Sequence, residues 1–245
     1  LVMVMSASSV VSVRESGGAW SYFEKQVMWT AIGSVALLIT LSVSVHFWRR
    51  LAKAMLGASL VMLLLVLIPG VGVEVNGASR WLGAGPLQIQ PSEITKFALL
   101  VFVADLLAKR ADHVEDWRWT LMPVTVYLGL VSLLIMAQPN LGTTLIIAAM
   151  VLTMLYAAGV PLLPLGLVTV TGVAAASMVV AFTDFRRTRF LRFLDPWKDP
   201  LGSGLQNVQS MVGLANGGWF GRGLGESTVK WGYLPYAWTD FIFAV

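Results

Sequence analysis

The chain has 245 residues, of which 57% are hydrophobic and only 12% are charged; its mean hydropathy is +0.75 and its net charge is +4. Ordinary soluble domains contain about 25% charged residues, so this chain has too few charges to cover a soluble surface. It has no cysteine and two distant histidines, His46 and His113, which excludes disulfides, thiolate metal sites and histidine-rich metal centres. The composition predicts an integral membrane protein.

Long uncharged stretches predict the membrane spans. Residues 119–183 contain no Asp, Glu, Lys or Arg, and a spanning helix needs roughly 20 apolar residues, so this stretch alone has room for three helices. In chain order the predicted spans are residues 1–13, 27–47, 54–73, 91–108, 119–137, 141–158 and 161–182, with 241–245 as the first turn of another. We therefore predict an all-α, polytopic transmembrane helical bundle of about seven spans plus the start of an eighth. The chain lacks an initiator methionine and a signal-peptide pattern, so we expect a single truncated membrane domain over residues 1–245.

The charges of the loops predict the orientation in the membrane. The short loops after the second and fourth spans are basic: Arg49, Arg50, Lys53, Lys109, Arg110 and Arg118. The loops after the first and third spans hold only Arg14, Lys25 and Arg80. Cytoplasmic loops carry an excess of Lys and Arg, so the even-numbered spans should end at the cytoplasm, and residues 184–239 should form one large extracytoplasmic loop within the domain.

Ionisable residues inside the fourth predicted span are candidates for function. Glu93 and Lys96 are three positions apart and therefore share a helical face. A charge at the bilayer centre costs roughly 2.5–3.5 kcal/mol on insertion scales, and less near the end of a span. Either the two residues neutralise each other at the interface, or they open a polar pocket toward the outer leaflet in which Lys96 can hold an anion. Asp105 is interpreted as a structural residue that faces inward or pairs near the cytoplasmic end.

The large external loop contains three informative segments. Residues 185–194 interleave Phe and Leu with Arg, a pattern typical of an amphipathic segment on a membrane surface or of a headgroup-binding face. Residues 202–225 are rich in glycine but match neither a P-loop nor a dinucleotide fingerprint. The loop ends at Asp240, a lone carboxylate before the last apolar run and a candidate general base. Spacing alone favours Thr239 or Asp240 as a helix N-cap instead.

Taken in order, these segments resemble the SEDS family (shape, elongation, division and sporulation) of bacterial cell-wall proteins. The matching motifs are MSASSV at 5–10, GASRWL at 77–82, QPSE at 90–93 with Lys96, FLDPW at 193–197, QNVQS at 206–210, GGWFGRGLG at 217–225 and TDFIFAV at 239–245. The resemblance covers essentially the whole chain. The run at 223–227, with Lys230 and the Leu-Pro pair at 234–235, is more similar to the division members than to the elongation members.

The resemblance implies a function that hydropathy does not. SEDS proteins polymerise lipid II, the undecaprenyl-linked disaccharide-pentapeptide, in the bacterial cytoplasmic membrane, and division members work with a class B penicillin-binding protein and other divisome proteins. They have about ten spans, so this chain should stop two to three spans short. Residue by residue, the resemblance implies that Asp240 is the catalytic base and that Arg80 and Lys96, beside Glu93, bind the lipid pyrophosphate. We expect no nucleic-acid partner. The resemblance implies no particular cofactor, and it leaves a divalent cation as an open alternative.

The chain departs from the family pattern at three positions. The family usually has Glu and His where this chain has Tyr236 and Trp238, and Asp where it has Asn140. The first two differences change the surroundings of Asp240, and the third removes a charge near the sixth span. Asn140 lies in a segment, 138–144, whose Pro and Gly favour a plain turn.

Two other functions remain as alternatives. Ionisable residues within spans are also typical of a transporter, so a lipid II flippase is one of them. The polar residues of this chain nevertheless concentrate on the predicted outer side, and residues 119–183 offer no inner gate. The other alternative is a non-enzymatic scaffold that recruits a penicillin-binding protein, in which replacing Asp240 would have no effect.

Overall fold

The computed structural model describes residues 1–16, 18–75, 77–84, 87–202, 204–235 and 237–245. Tyr236, one of the three departures named above, lies outside these residues. The chain divides into two compact units. The first unit consists of Leu1–Ser42 and Val179–Val245, and the second consists of Val43–Met178.

Helices dominate both units. In chain order they are α1 Val2–Ser16, α2 Ser21–Ser42, α3 Val45–Val66, α4 Pro91–Lys109, α5 Met122–Ala137, α6 Leu141–Ala157, α7 Leu162–Ala181, α8 Asp184–Leu194 and α9 Leu205–Gly217. A π-helical turn, Trp117–Leu121, leads into α5. Pro91 begins α4, where a proline costs nothing because the first N–H of a helix has no partner within it.

Several of these helices have the composition of membrane spans. Within the described ranges, three are long and apolar enough to cross a membrane: Ser21–Ser42, Trp117–Ala137 and Leu162–Ala181. The apolar helices Val2–Arg14 and Leu141–Ala157 are shorter. The protein is thus an integral membrane protein with several helical spans, as the composition predicted. The count of seven spans stays a prediction, because α3 and α4 carry charged residues.

The boundary between the second and third predicted spans is wrong. Residues 48–53 were predicted to form the loop between these spans, but α2 ends at Ser42 and α3 already begins at Val45. Residues 48–53 are Trp, Arg, Arg, Leu, Ala and Lys, none of which interrupts a helix. Arg49, Arg50 and Lys53 therefore lie in the first turns of α3.

The segment predicted as a Gly- and Pro-rich loop after the third span contains a small antiparallel sheet. Its strands are β1 Val73–Val75, β2 Ala78–Ala84 and β3 Leu87–Ile89, in that spatial order. Val73 pairs with Trp81 across the first hairpin, and Leu82 pairs with Ile89 across the second. The sheet places Arg80 on its central strand.

Each unit has its own apolar core. The core of the second unit lies among α3, α4, α5 and α6, with fully buried side chains such as Leu63, Leu99, Val131, Ile147 and Val151. The first unit has a smaller cluster formed by Val229, Leu234, Ala237 and Ala244. In the first unit, α8 and α9 lie within the predicted external loop, and the glycine-rich part of that loop therefore includes a helix, α9.

Candidate functional site

Asp240 lies at an open cleft of about 810 Å³ in the first unit. Its side chain is exposed. Helices α8 and α9 supply most of the lining, which comprises Asp184, Phe185, Thr188, Arg189, Phe193, Gln206, Asn207, Asp240 and Phe241. The fold thus brings two carboxylates, Asp184 and Asp240, a guanidinium group and two side-chain amides together from three separate stretches of sequence.

The backbone that carries Asp240 is held by a 3₁₀ turn, Ile242–Ala244, which packs on α9. The approach is close at Gly213, where an added Cβ would lie 2.6 Å from the carbonyl oxygen of Ala244. The N-cap position of the turn is Phe241. Neither Thr239 nor Asp240 occupies the cap of this turn, which was the alternative that spacing favoured.

Trp238 packs just before Asp240. It lies against the apolar cluster that includes Val229 and Leu234, and its ring centroid is 6.2 Å from that of Tyr22 on α2. The departure from the family's usual His therefore places a large apolar ring in a partly buried position. Burial of this ring helps to fix the segment that leads to Asp240.

Lys230 connects the same loop with α1. It is only 8% exposed, and its Nζ donates a hydrogen bond of 2.5 Å to the carbonyl oxygen of Gly225. The N–H of Gly225 in turn donates to Oγ of Ser6 at 2.9 Å. Both Ser6 and Lys230 were noticed in the sequence only through the family resemblance. Their physical role is to fasten the glycine-rich segment to the first helix.

The chemistry available in the cleft follows from its side chains. Asp240 can accept a proton from a hydroxyl group. Arg189 can bind an anionic oxygen, and Gln206 and Asn207 can both donate to and accept from sugar hydroxyls. Among the arginines of the interleaved segment 185–194, Arg189 lines the cleft. No spacing rule could have found Gln206 and Asn207, because only the packing of α9 brings them to Asp240.

Arg80 belongs to the second unit, where its side chain donates two hydrogen bonds. Its Nε donates to the carbonyl oxygen of Gln138 at 3.1 Å, and its Nη2 donates to that of Pro139 at 2.7 Å. These carbonyl groups follow α5, whose last residue is Ala137, and a cation is favourable at the negative end of the helix dipole. Gln138 is 1% exposed and donates through Nε2 to the carbonyl oxygen of Leu63 at 3.2 Å. Arg80 thus joins the central strand of the sheet to the end of α5.

Lys96 and Glu93 form an ion pair on α4. The distance from Lys96 Nζ to Glu93 Oε2 is 2.7 Å, and their side chains are 27% and 55% exposed. This is the neutralised pair that was one of the two interpretations of these residues. Binding of an anion by Lys96 stays a prediction, and it requires that the anion compete with Glu93.

Asp105 has the structural role predicted for it. It is 5% exposed and accepts hydrogen bonds from Arg49 Nε at 2.8 Å and from Lys109 Nζ at 2.5 Å. Arg49 lies on α3, so the carboxylate joins α3 to α4. Over the part of the chain that the structure describes, no three His, Asp or Glu side chains are grouped so that they could hold a metal ion.

Comparison with known proteins gives consistent matches over this architecture. A family model described as cell cycle protein, FtsW/RodA/SpoVE, matches residues 1–245. The chain is 38% identical over 245 residues to a probable peptidoglycan glycosyltransferase FtsW of Saccharophagus degradans, covering 100% of this chain and 63% of that protein. The chain thus spans about three fifths of the length of this relative.

Solved structures agree with the family match. A chain in a peptidoglycan synthase complex has a TM-score of 0.63 and 30% identity, over 86% of this chain and 62% of that chain. The rod shape determining protein RodA of Thermus thermophilus has a TM-score of 0.55 and 28% identity, over 73% of this chain and 57% of its own. The resemblance predicted from the motifs is confirmed: the chain belongs to the FtsW/RodA/SpoVE family of cell cycle proteins.

Proposed function

We propose that the protein is a peptidoglycan glycosyltransferase that polymerises lipid II into glycan strands during cell division, in the bacterial cytoplasmic membrane. The observation that carries this proposal is the exposed carboxylate of Asp240 in a cleft that also contains Arg189, Gln206 and Asn207. The Saccharophagus degradans relative, which bears the name of this activity, supports the same assignment.

Asp240 acts as the general base in the proposed reaction. The hydroxyl oxygen of the acceptor sugar forms a bond to the anomeric carbon of the donor, and the bond from that carbon to the pyrophosphate oxygen breaks. The proton of the hydroxyl passes to Asp240, while the departing lipid pyrophosphate keeps the electron pair. Such positioned proton transfer typically contributes 10²–10⁴-fold to a rate.

Cations bind the lipid pyrophosphate in this proposal. Arg80 carries a positive charge on a guanidinium group whose Nη1 is not used by the bonds to Gln138 and Pro139, and Lys96 carries a compact charge; both suit phosphate oxygens. Glu93 holds Lys96 in place before the substrate binds. The pyrophosphate then takes the place of the Glu93 carboxylate beside Lys96. The partial exposure of Lys96 supports this exchange, because a partly solvated ion pair is worth only about 0–1 kcal/mol.

The partners and the arrangement of the chain belong to the same proposal. The protein works with a class B penicillin-binding protein and other divisome proteins, and its likeness to a chain of a peptidoglycan synthase complex supports this. The chain is a single membrane domain, residues 1–245, within which residues 184–239 form the extracytoplasmic loop. Lipid II reaches the site from the outer leaflet.

The test of this function is polymerisation of purified lipid II by the full-length protein together with its partner. Asp240→Asn keeps the shape of the side chain but cannot accept a proton at neutral pH, so the rate should fall by about 10²–10⁴-fold. Glu226→Gln is the matched control, because it makes the same change at an exposed carboxylate that does not line the cleft. The control should polymerise lipid II at the wild-type rate.

Other outcomes of the same experiment would contradict the proposal. Glycan strands made at the wild-type rate by Asp240→Asn would remove the catalytic role of this residue. A wild-type protein that moves lipid II across vesicle membranes without making glycan strands would be a flippase. If the partner polymerises lipid II equally well in the presence of Asp240→Asn and of the wild-type protein, the protein described here is a scaffold.

A further inference from the structure

A groove of about 480 Å³ runs between α3, α4 and α5 in the second unit. Residues of α3 and α4 form most of its walls, with Pro123 and Tyr127 of α5 at one side. It is separate from the Asp240 cleft, which is in the first unit, and none of its lining residues has a part in the proposed reaction. Its two ends differ in chemistry.

The inner part of the groove is apolar. Leu56 and Phe102 are 3% and 7% exposed, and the ring of Phe102 meets that of Tyr127 edge to face at 4.7 Å between centroids. Gly57 lines the groove and is exposed, and a Cβ added there would meet nothing within 4 Å. The missing side chain leaves an open apolar channel beside α3.

The mouth of the groove is cationic. Lys53, Lys109 and Arg110 line it, against a single lining carboxylate, Asp105. Both oxygens of Asp105 are already bound, one by Lys109 and the other by Arg49. Among the residues described, neither Lys53 nor Arg110 is in an ion pair; Arg110 donates a hydrogen bond to the carbonyl oxygen of Trp119, which leaves its positive charge unpaired.

We propose that this groove binds an anionic phospholipid. The headgroup phosphate lies at Lys53 and Arg110, and an acyl chain follows the apolar channel beside Gly57. A free phosphate would need the cations but not the channel, and a neutral lipid would need the channel but not the cations. Basic pockets between spans are suited to anionic headgroups, and this is the end of α3 and α4 that the loop charges predict to face the cytoplasmic leaflet.

Two substitutions test the two halves of the site in the full-length protein, purified in detergent. Gly57→Leu adds a side chain at the channel, its Cβ meets nothing within 4 Å, and leucine is a better helix former than glycine, so the protein should unfold at the same or a higher temperature without lipid. Lys53→Gln removes an exposed charge. Gly129→Leu on α5 is the matched control, since it is also exposed with nothing within 4 Å and does not line the groove.

Binding is measured by native mass spectrometry and by the rise in unfolding temperature with phosphatidylglycerol, phosphatidylcholine or glycerol 3-phosphate. Wild type and Gly129→Leu should bind phosphatidylglycerol, Gly57→Leu should lose this binding, and Lys53→Gln should bind about five-fold more weakly, which corresponds to about 1 kcal/mol for one cation. The proposal is overturned if both test variants bind as wild type does. Equal binding of phosphatidylcholine, or an equal effect of glycerol 3-phosphate alone, also overturns it.

Discussion

Arg80 uses its planar geometry in the structure. Two of its nitrogens donate to two successive carbonyl groups, those of Gln138 and Pro139, at the end of α5. A lysine has the same charge but is a single point donor, so it cannot reproduce this fork. The structural and the anion-binding roles of this residue therefore depend on different properties of the side chain, and one substitution can separate them.

We expect Arg80→Lys to destabilise the protein even though the charge is kept. Losing one hydrogen bond from a charged donor costs about 1.5–3 kcal/mol, which thermal unfolding in detergent would report as a lower midpoint. The rate of lipid II polymerisation, measured below that midpoint, tests the second role. Unchanged stability in Arg80→Lys would mean that the fork to α5 contributes little.

Lys96 is predicted to act on the substrate rather than on the fold. We expect Lys96→Ala to lose polymerisation of lipid II while it accumulates in the membrane at the normal level, because the pair with Glu93 is partly solvated and worth about 0–1 kcal/mol. Lys198→Ala, which removes an exposed cation of the first unit, is the control. Polymerisation at the parental rate by Lys96→Ala would show that Lys96 does not bind the pyrophosphate.

At the scale of elements, the contact of α9 with the 3₁₀ turn after Asp240 depends on the absence of a side chain at Gly213. Glycine to alanine within a helix is normally favourable by about 0.8–1.0 kcal/mol. At Gly213 the new Cβ would approach the carbonyl oxygen of Ala244 to 2.6 Å and Cγ2 of Val229 to 3.1 Å. The carbonyl belongs to the backbone and cannot rotate away, so the turn must move.

We therefore predict that Gly213→Ala destabilises the protein, by about 1–3 kcal/mol if the overlap is relieved as in other overpacked sites. It should also lower the rate of glycan synthesis although Asp240 is intact, because the backbone that carries Asp240 shifts. Gly217→Ala at the end of the same helix meets nothing within 4 Å and should be neutral or stabilising. Equal unfolding temperatures for the two variants would contradict this account.

The helices were the elements that could be predicted best from the sequence, since uncharged runs mark their extent and Pro91 marks the start of α4. The predicted spans at 119–137, 141–158 and 161–182 agree with α5, α6 and α7 to within a few residues. The sheet of β1, β2 and β3 was not predicted, because its strands are only three to seven residues long and glycines stand within β2 and between the strands. Helix α9 was also missed, since its polar and glycine residues give no continuous apolar run.

The candidate site could be predicted only in part, and for a physical reason. Asp240 was singled out as a candidate because a lone carboxylate stands before an apolar run that matches a family motif. The partners of Arg80 were not found, because a carbonyl group has no signature in the sequence and the bonds to residues 138 and 139 cross almost 60 positions. The pairing of Glu93 with Lys96 was foreseen as one of two interpretations, since a spacing of three on a helix determines the contact.

At the scale of the whole molecule, the charges of the loops predict how the protein is oriented in the membrane. The sequence places residues 184–239 outside and the end of α4 inside. The chain contains no cysteine, so a single one can be introduced at Leu201, which is 86% exposed, or at Ala111, which is also exposed. In intact cells an impermeant thiol reagent should label Leu201→Cys and leave Ala111→Cys unlabelled. The reverse pattern would show that the orientation is inverted.

The bond from Gly225 to Ser6 has a consequence for the order in which the protein is assembled. The two residues are 219 positions apart, and ribosomes add about 5–20 residues per second, so roughly 10–45 s separate their synthesis. The second unit is one continuous stretch of chain and can pack during that interval. The first unit is made of two stretches of chain, Leu1–Ser42 and Val179–Val245, which lie before and after the second unit in the sequence. Its closure around α1, and with it the shaping of the cleft at Asp240, therefore follows the synthesis of the whole second unit.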